Sequence, residues 1–418
     1  MAVAGRSFWV SRFTFSKGRA RFRVAKAEEA SRRSQTLAAH AAFVPTGVMT
    51  VLLGPLLPTL AAQWGLNDTQ SGYLFAAQFA GSLVGVSVSG ALVRRFGYGL
   101  SMVAGLVIMS AGVVMMPLSP WHVGLALVLA YGFGLGLVIP AANLLVAEVH
   151  PEGRGAALNL LNFSWSVGAV SCPFLVGAFI RTHHIALLMY LLAAVMLLLS
   201  IAIASMRFPT RMNEGAENEV AASRVPWRNR YIVILVLLFY LYVGAENAVG
   251  GWVASYAKRM IAHPGQFWVM VPSFFYGALL VGRGLASVIL RRMEELTLAR
   301  AGLLASTLGM VALLTSGSMT GVVLSVTVVG LGFAAVYPIT ISMLSHKFGS
   351  GASAVGSLMF SVANVGGASL PWLVGYGSTR FDSLKVGLAV PLVAGILMLV
   401  LYSGDWKLGV VEATAAAA

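Results

Sequence analysis

Val167-Gly168-Ala169-Val170-Ser171-Cys172-Pro173-Phe174-Leu175-Val176-Gly177 returns later in the chain as Val365-Gly366-Gly367-Ala368-Ser369-Leu370-Pro371-Trp372-Leu373-Val374-Gly375, identical at seven of eleven positions without a gap. The same offset of 198 residues pairs Gly132 with Gly330, Gly134 with Gly332 and Pro140 with Pro338. An offset one shorter pairs Gly85 with Gly282 and Arg94-Arg95 with Arg291-Arg292. Chance can produce one such match, but several in the same order mark a duplication. The sequence therefore predicts two similar halves, repeated in parallel.

Composition sets the medium in which those halves fold. The chain has 418 residues, of which 58% are hydrophobic and only 10% charged; a soluble domain carries about 25% charge. Its 46 glycines suit helices that pack inside a bilayer through small residues. Twelve apolar spans are predicted, at 40–62, 70–93, 98–117, 121–147, 157–180, 184–206, 231–255, 266–290, 299–316, 319–345, 353–376 and 384–403. Most reach the roughly 20 residues needed to cross a bilayer. The predicted fold is an all-α membrane protein with twelve transmembrane helices in two pseudo-symmetric six-helix bundles. The predicted boundaries are a basic tail 1–38, an N-terminal bundle 39–207, a polar linker 208–229, a C-terminal bundle 230–404 and a tail 405–418. The single cysteine, Cys172, excludes an intramolecular disulfide and a thiolate metal cluster. His183-His184 and His263 stand apart, so no metal site and no cofactor are expected.

Charge predicts orientation. With the amino terminus inside, the tails and the loops 94–97, 148–156, 207–230, 291–300 and 346–352 hold 22 of the 28 Lys and Arg. The opposite face holds five: Arg181, Lys258, Arg259, Arg380 and Lys385. The excess places both termini in the cytoplasm. It also makes the net charge of +14 a matter of topology, so no nucleic-acid partner is expected. The expected setting is a bacterial inner membrane, with the bilayer as partner and the chain as a monomer.

The loop after the second span reads Gly90-Ala91-Leu92-Val93-Arg94-Arg95-Phe96-Gly97. It resembles the signature loop of the major facilitator superfamily, glycine-x-leucine-x-aspartate-arginine-x-glycine, with Arg94 in place of the aspartate. The resemblance implies that Gly90 and Gly97 permit close helix approach and that Arg94 and Arg95 serve a cytoplasmic gate. Gly134-Leu135-Gly136, Pro140-Ala141-Ala142-Asn143, the stretch Leu158 to Ala169 and Gly244-Ala245-Glu246-Asn247-Ala248-Val249-Gly250-Gly251-Trp252 are similar to the fucose permease-like branch. That branch contains proton-coupled fucose and glucose symporters and sodium-coupled glucose carriers. Its proton-coupling aspartate in span one and glutamate in span four correspond here to Gly54 and Ile139, which cannot titrate.

Few polar residues remain inside the spans. Of fourteen acids, only Glu246 lies deep in one. A carboxylate at the centre of a membrane helix costs roughly 2.5 kcal/mol or more, so Glu246 is expected to couple an ion, proton or sodium, or to recognise substrate hydroxyls; a structural cap at Gly250-Gly251 is the competing role. Asn159, Asn162 and Ser166 recur at i, i+3 and i+7 and share a helix face. Asn159, Asn162, Gln78, Asn143, Asn247 and Asn364 are candidate amides for sugar hydroxyls, and Trp165, Trp252 and Tyr337 are candidate rings for a sugar's apolar face. Each could equally be interhelical glue. Arg283 within span eight is a candidate gate residue or a side chain that snorkels to lipid phosphates.

These residues point to a secondary carrier that moves a small polar solute, expected to be a sugar, by alternating access, coupled to protons or sodium. An exporter of lipophilic compounds is the alternative among carriers, and a transporter-like sensor the alternative outside them. A membrane enzyme is not expected, because no zinc motif or pair of acids stands within the spans.

Overall fold

The computed structural model describes residues 7–208, 229–260 and 265–404, which contain helices and no strand. The helices are α1 (Ser7–Val51), α2 (Leu53–Trp64), α3 (Asp68–Val114), α4 (Trp121–Val149), α5 (Arg154–Arg181), α6 (Ile185–Ala204), α7 (Arg230–Met260), α8 (Val271–Ile289), α9 (Glu295–Thr315), α10 (Met319–Phe333), α11 (Val336–Phe348), α12 (Ala352–Arg380), α13 (Leu384–Gly387) and α14 (Ala389–Ser403). The basic tail predicted at 1–38 is helical from Ser7 onward and runs into the first span as one helix. Residues 209–228 of the linker and the whole tail 405–418 lie outside the described residues.

Ten stretches are long and apolar enough to cross a bilayer, and α1 with α2 forms one further span bent by 46°. The stretch Asp68–Leu118 holds two of the predicted spans. Its 51 residues would reach about 76 Å as one straight helix, against a hydrocarbon core of roughly 30 Å. It breaks at Gly97, whose φ of 84° and ψ of 171° favour glycine. The arms fold back on each other, with the hydroxyls of Ser89 and Ser101 3.2 Å apart. Both donate to the carbonyl of Leu137, each at 3.1 Å. Pro140 lies within α4 three residues later; the helical bond it removes is the one to the Gly136 carbonyl. In the second half Pro338 has a stronger effect, because the tenth span stops at Phe333 and restarts at Val336.

The duplication is visible in the helix contacts. A Cβ on Gly168 would lie 2.0 Å from the Val44 carbonyl, and one on Gly366 would lie 2.1 Å from that of Tyr240. Gly132 meets the Gln78 carbonyl as Gly330 meets that of Phe275, at 2.1 and 2.4 Å; Gly134 meets Gly105 as Gly332 meets Gly302. Pro173 and Pro371 lie within the equivalent helices α5 and α12. Outward-facing side chains recur at i, i+4 and i+7, as in Leu191, Val195 and Leu198, or Val393, Leu397 and Val400. In water such stripes would be unstable; against lipid they are the expected exterior. The chain is a multi-pass integral membrane protein.

Gly132→Leu should lower stability by about 1–3 kcal/mol or more, since the added side chain meets backbone that cannot yield. Gly284→Ala, with open space around the new methyl, should be neutral or slightly stabilising. Thermal melting of the detergent-solubilised protein checks both.

Candidate functional site

Among the described residues, the two halves meet closely at the Asp68 end of the bundle. There the Asp68 carboxylate, at the start of α3, accepts from Arg259 Nη1 at 2.7 Å and Nη2 at 2.5 Å. Ser378 Oγ, at the end of α12, donates to it at 2.5 Å. The Thr69 amide donates to Thr379 Oγ1 at 2.9 Å. Backbone contact continues below this: a Cβ on Gly375 would meet the Asp68 carbonyl at 2.2 Å, and one on Gly72 would meet Trp372 at 3.0 Å. Gly54 sits 2.5 Å, measured from an added Cβ, from the Gly250 carbonyl. In this conformation Gly54 therefore has room for no side chain at all.

At the Arg94 end the corresponding faces are open. Residues 159, 166, 170 and 177 of α5 fall within about 40° of one another around the helix. Toward the Asp68 end this face is sealed, with Ser273 Oγ of α8 on the Val170 carbonyl at 2.9 Å and Val269 against Gly177. Toward the Arg94 end the same face carries Asn159 and, beside it, Asn162, both exposed. The equivalent face of α12 runs from sealed Gly375 through half-buried Asn364 to exposed Ser357. The two repeats thus present matching polar faces to the space that opens between them.

The asparagines share one hydrogen-bond pattern. Asn143, Asn162, Asn247 and Asn364 each donate from Nδ2 to the carbonyl four residues back, at 2.8, 2.9, 2.8 and 2.9 Å. A carbonyl only accepts, so the nitrogen must face it. The bond fixes the rotamer and leaves each amide one N–H and its Oδ1. Asn159 has no hydrogen-bond partner among the described residues.

The C-terminal half adds charge. Glu246, buried midway along α7, has Oε1 3.9 Å from Arg283 Nη2 of α8. Arg283 Nη2 donates to the Tyr242 hydroxyl at 3.4 Å, and its guanidinium lies 6.0 Å from the Tyr337 ring centroid. Tyr337 packs on Phe239 and Tyr242, with centroids 5.2 and 6.0 Å away. The Arg283 side chain is 27% exposed, while its Nε is buried without an acceptor. Arg283 therefore pairs within its own half and neither bridges the halves nor reaches a lipid headgroup as a free snorkelling chain.

Three sequence-based assignments change. Gln78 is buried and fully used: it donates to the Thr50 carbonyl and accepts from Tyr131, each at 2.9 Å. Trp252 is fully buried on the sealed seam and donates to the Pro371 carbonyl at 2.8 Å, so neither reaches the opening. Gly90 has no neighbour closer than ordinary contact, so no helix approach depends on it. Trp165 is half-buried and bonds to Thr50 Oγ1 at 3.3 Å. Arg94 and Arg95 are exposed, with Arg95 5.2 Å from the Phe96 ring centroid, and neither meets an acid among the described residues. Tyr242 was missed, although it stands one turn before Glu246. Asp68 and Arg259 were missed as a pair because 191 residues separate them.

Trp252→Phe should cost about 1 kcal/mol of stability through the lost indole bond, read as a lower melting temperature. Asn162→Cys should react with an impermeant maleimide applied from the Arg94 end and not from the Asp68 end; the native Cys172 is buried.

Comparison with known proteins agrees with this architecture. The family model of the Major Facilitator Superfamily matches residues 40–371. The mouse sodium-dependent glucose transporter 1A is 23% identical over 409 residues, covering 88% of this chain and 95% of that protein. A glucose/galactose transporter of Brucella abortus is 27% identical over 362 residues, covering 80% and 85%. The crystal structure of the E. coli fucose:proton symporter aligns with a TM-score of 0.63 at 18% identity, covering 89% of this chain and 98% of that one.

Proposed function

The chain belongs to the major facilitator superfamily, and on that footing we propose that it is a secondary active sugar symporter working by alternating access. The observation that carries this reading is the pair of matching faces on α5 and α12, where Asn159, Asn162 and Asn364 flank the opening between the halves. A sugar hydroxyl both donates and accepts, and a helix-anchored amide with one free N–H and one free oxygen offers the same pair of functions. Tyr337, beside Arg283, supplies an aromatic surface in the second half. A lipophilic cargo would leave these amides without partners, which is unfavourable away from water. The sugar relatives also favour this reading over an exporter.

The charge asymmetry supports a cytoplasmic location for both termini, in a bacterial inner membrane. The Asp68–Arg259 end then faces outward, and this conformation opens to the cytoplasm. The two bundles, 39–207 and 230–404, rock about the site between them.

Glu246 is the coupling group in this reading. As a carboxylate it attracts Arg283; once protonated it releases the guanidinium, whose free donors turn to the solute. The coupling ion in this reading is a proton or sodium. Relatives of both kinds exist, one sodium-dependent by name and one a proton symporter. Labelled glucose, galactose and fucose in reconstituted vesicles, with proton and sodium gradients imposed separately, test the solute and the ion together.

Asn162→Ala should weaken solute affinity by one to two decades, the equivalent of losing roughly 1–3 kcal/mol of hydrogen bonding. Unchanged affinity would remove that position from the site. Glu246→Gln should abolish gradient-driven accumulation while exchange of solute across the membrane continues. A variant that still accumulates solute, with normal affinity and ion dependence, would make Glu246 a structural residue.

A further inference from the structure

We infer that the solute is a sugar acid, a ring sugar bearing one carboxylate, and that Arg283 is the residue that selects it. The inference rests on the sugar-carrier reading above and deepens it by naming the substrate class.

Arg283 is the only Lys or Arg away from the ends of the spans. Its side chain has five N–H donors and no acceptor. One donor, on Nη2, reaches the Tyr242 hydroxyl at a long 3.4 Å. Glu246 Oε1, at 3.9 Å, is beyond hydrogen-bond length. The remaining donors have no acceptor among the described residues, and Nε is one of them. The neighbours of Arg283 come from α7 and α11, so its exposed part borders the opening rather than lipid. Water can occupy that part of the fork, and a solute can displace it. A planar guanidinium fork matches a carboxylate through two parallel bonds, which a single hydroxyl does not offer.

The guanidinium also stands at one end of a row of rings. The Tyr337 centroid lies 6.0 Å from it, Phe239 is 5.2 Å from Tyr337, and Phe360 is 5.3 Å from Phe239. Phe360 is exposed, and its carbonyl holds the amide of Asn364. The row therefore runs from a positive charge on α8 to a half-free amide on α12. A ring sugar acid has parts to match: a C–H face for the rings, hydroxyls for the amide and a carboxylate for the guanidinium. Apolar walls with a few placed polar groups are the usual form of a small-molecule site.

Charge separates this class from its neighbours. The other ionisable groups about the Glu246–Arg283 pair are Tyr242, Tyr276 and Tyr337, from α7, α8 and α11, and phenols are neutral at physiological pH. In the empty carrier the carboxylate and the guanidinium cancel. The coupling ion, proton or sodium, then adds one positive charge. A neutral sugar would carry that charge through the bilayer centre, at a cost. One carboxylate cancels it. A sugar phosphate, with a charge of about −1.5 to −2, exceeds what a single guanidinium and one ion can balance.

The test is uptake by the full chain reconstituted in lipid vesicles, with a proton or a sodium gradient imposed and the membrane potential set by potassium and valinomycin. Labelled glucuronate and galacturonate should accumulate, bind at least roughly tenfold more tightly than glucose, and respond little to the potential. Glucose 6-phosphate should not compete. Arg283→Gln should lower the ratio of uronate to glucose affinity by roughly one to two decades, through lost hydrogen bonds to a charged group. Arg283→Lys keeps the charge without the fork and should fall between. Glucose uptake with neither uronate carried nor competing would overturn the inference and leave the sugar-carrier reading in place. An unchanged affinity ratio in Arg283→Gln, folded as judged by its melting temperature, would overturn the selecting role. Absence of flux for all three sugars would overturn the sugar-carrier reading and the inference with it.

Discussion

Helix backbones touch each other throughout this protein, and everything else depends on that contact. A bilayer satisfies no backbone hydrogen bonds, so each crossing must be a helix complete in itself. Lipid tails are also as apolar as leucine, so burying leucine between helices gains little there. Close approach of backbones supplies the attraction, and hydrogen as a side chain permits it. At Gly47 and Gly168 the α1 and α5 backbones meet, and at Gly81, Gly85, Gly132 and Gly136 those of α3 and α4 do. Each half becomes a stiff body. Stiffness within the halves confines movement to the seam between them.

That confinement explains where polar chemistry is tolerated. Inside the first half, Gln78 is fully spent between Thr50 and Tyr131. Asn143, Asn162, Asn247 and Asn364 are half-spent, each with one N–H on the carbonyl four residues back. A half-spent amide in lipid would be costly, but beside a wetted cleft it can trade water for a ligand. The Glu246–Arg283 pair follows the same rule, with a gap of 3.9 Å that neither closes into a hydrogen bond nor separates the charges.

The sequence reading and the structure part company where partners come from distant segments. The spans, the repeat and the depth of Glu246 follow from local composition and spacing, and all are legible without coordinates. Asn159 and Asn162 could be placed on one face by helical period alone. Gln78 and Trp252 looked the same as those asparagines in sequence, polar or aromatic in the middle of a span. Their different fate was decided by Tyr131 and the Pro371 carbonyl, 53 and 119 residues away. The break at Gly97 was foreshadowed by its signature loop, whereas Gly90 in the same motif proved dispensable for packing. Asp68 and Arg259 are two ordinary loop-end charges until the fold brings them together.

The contact of Gly54 with Gly250 has a historical side. The fucose permease-like pattern has an aspartate at the position of Gly54, but here the α2 and α7 backbones have closed over the place where its carboxyl would stand. Restoring the acid would require the two helices to separate first, and with them the seam that Trp252 and Phe75 fill, their rings 6.1 Å apart. Because this contact lies on the seam between the halves, an acid at Gly54 would be admitted only where the seam parts, and would shift the balance of states toward that open form.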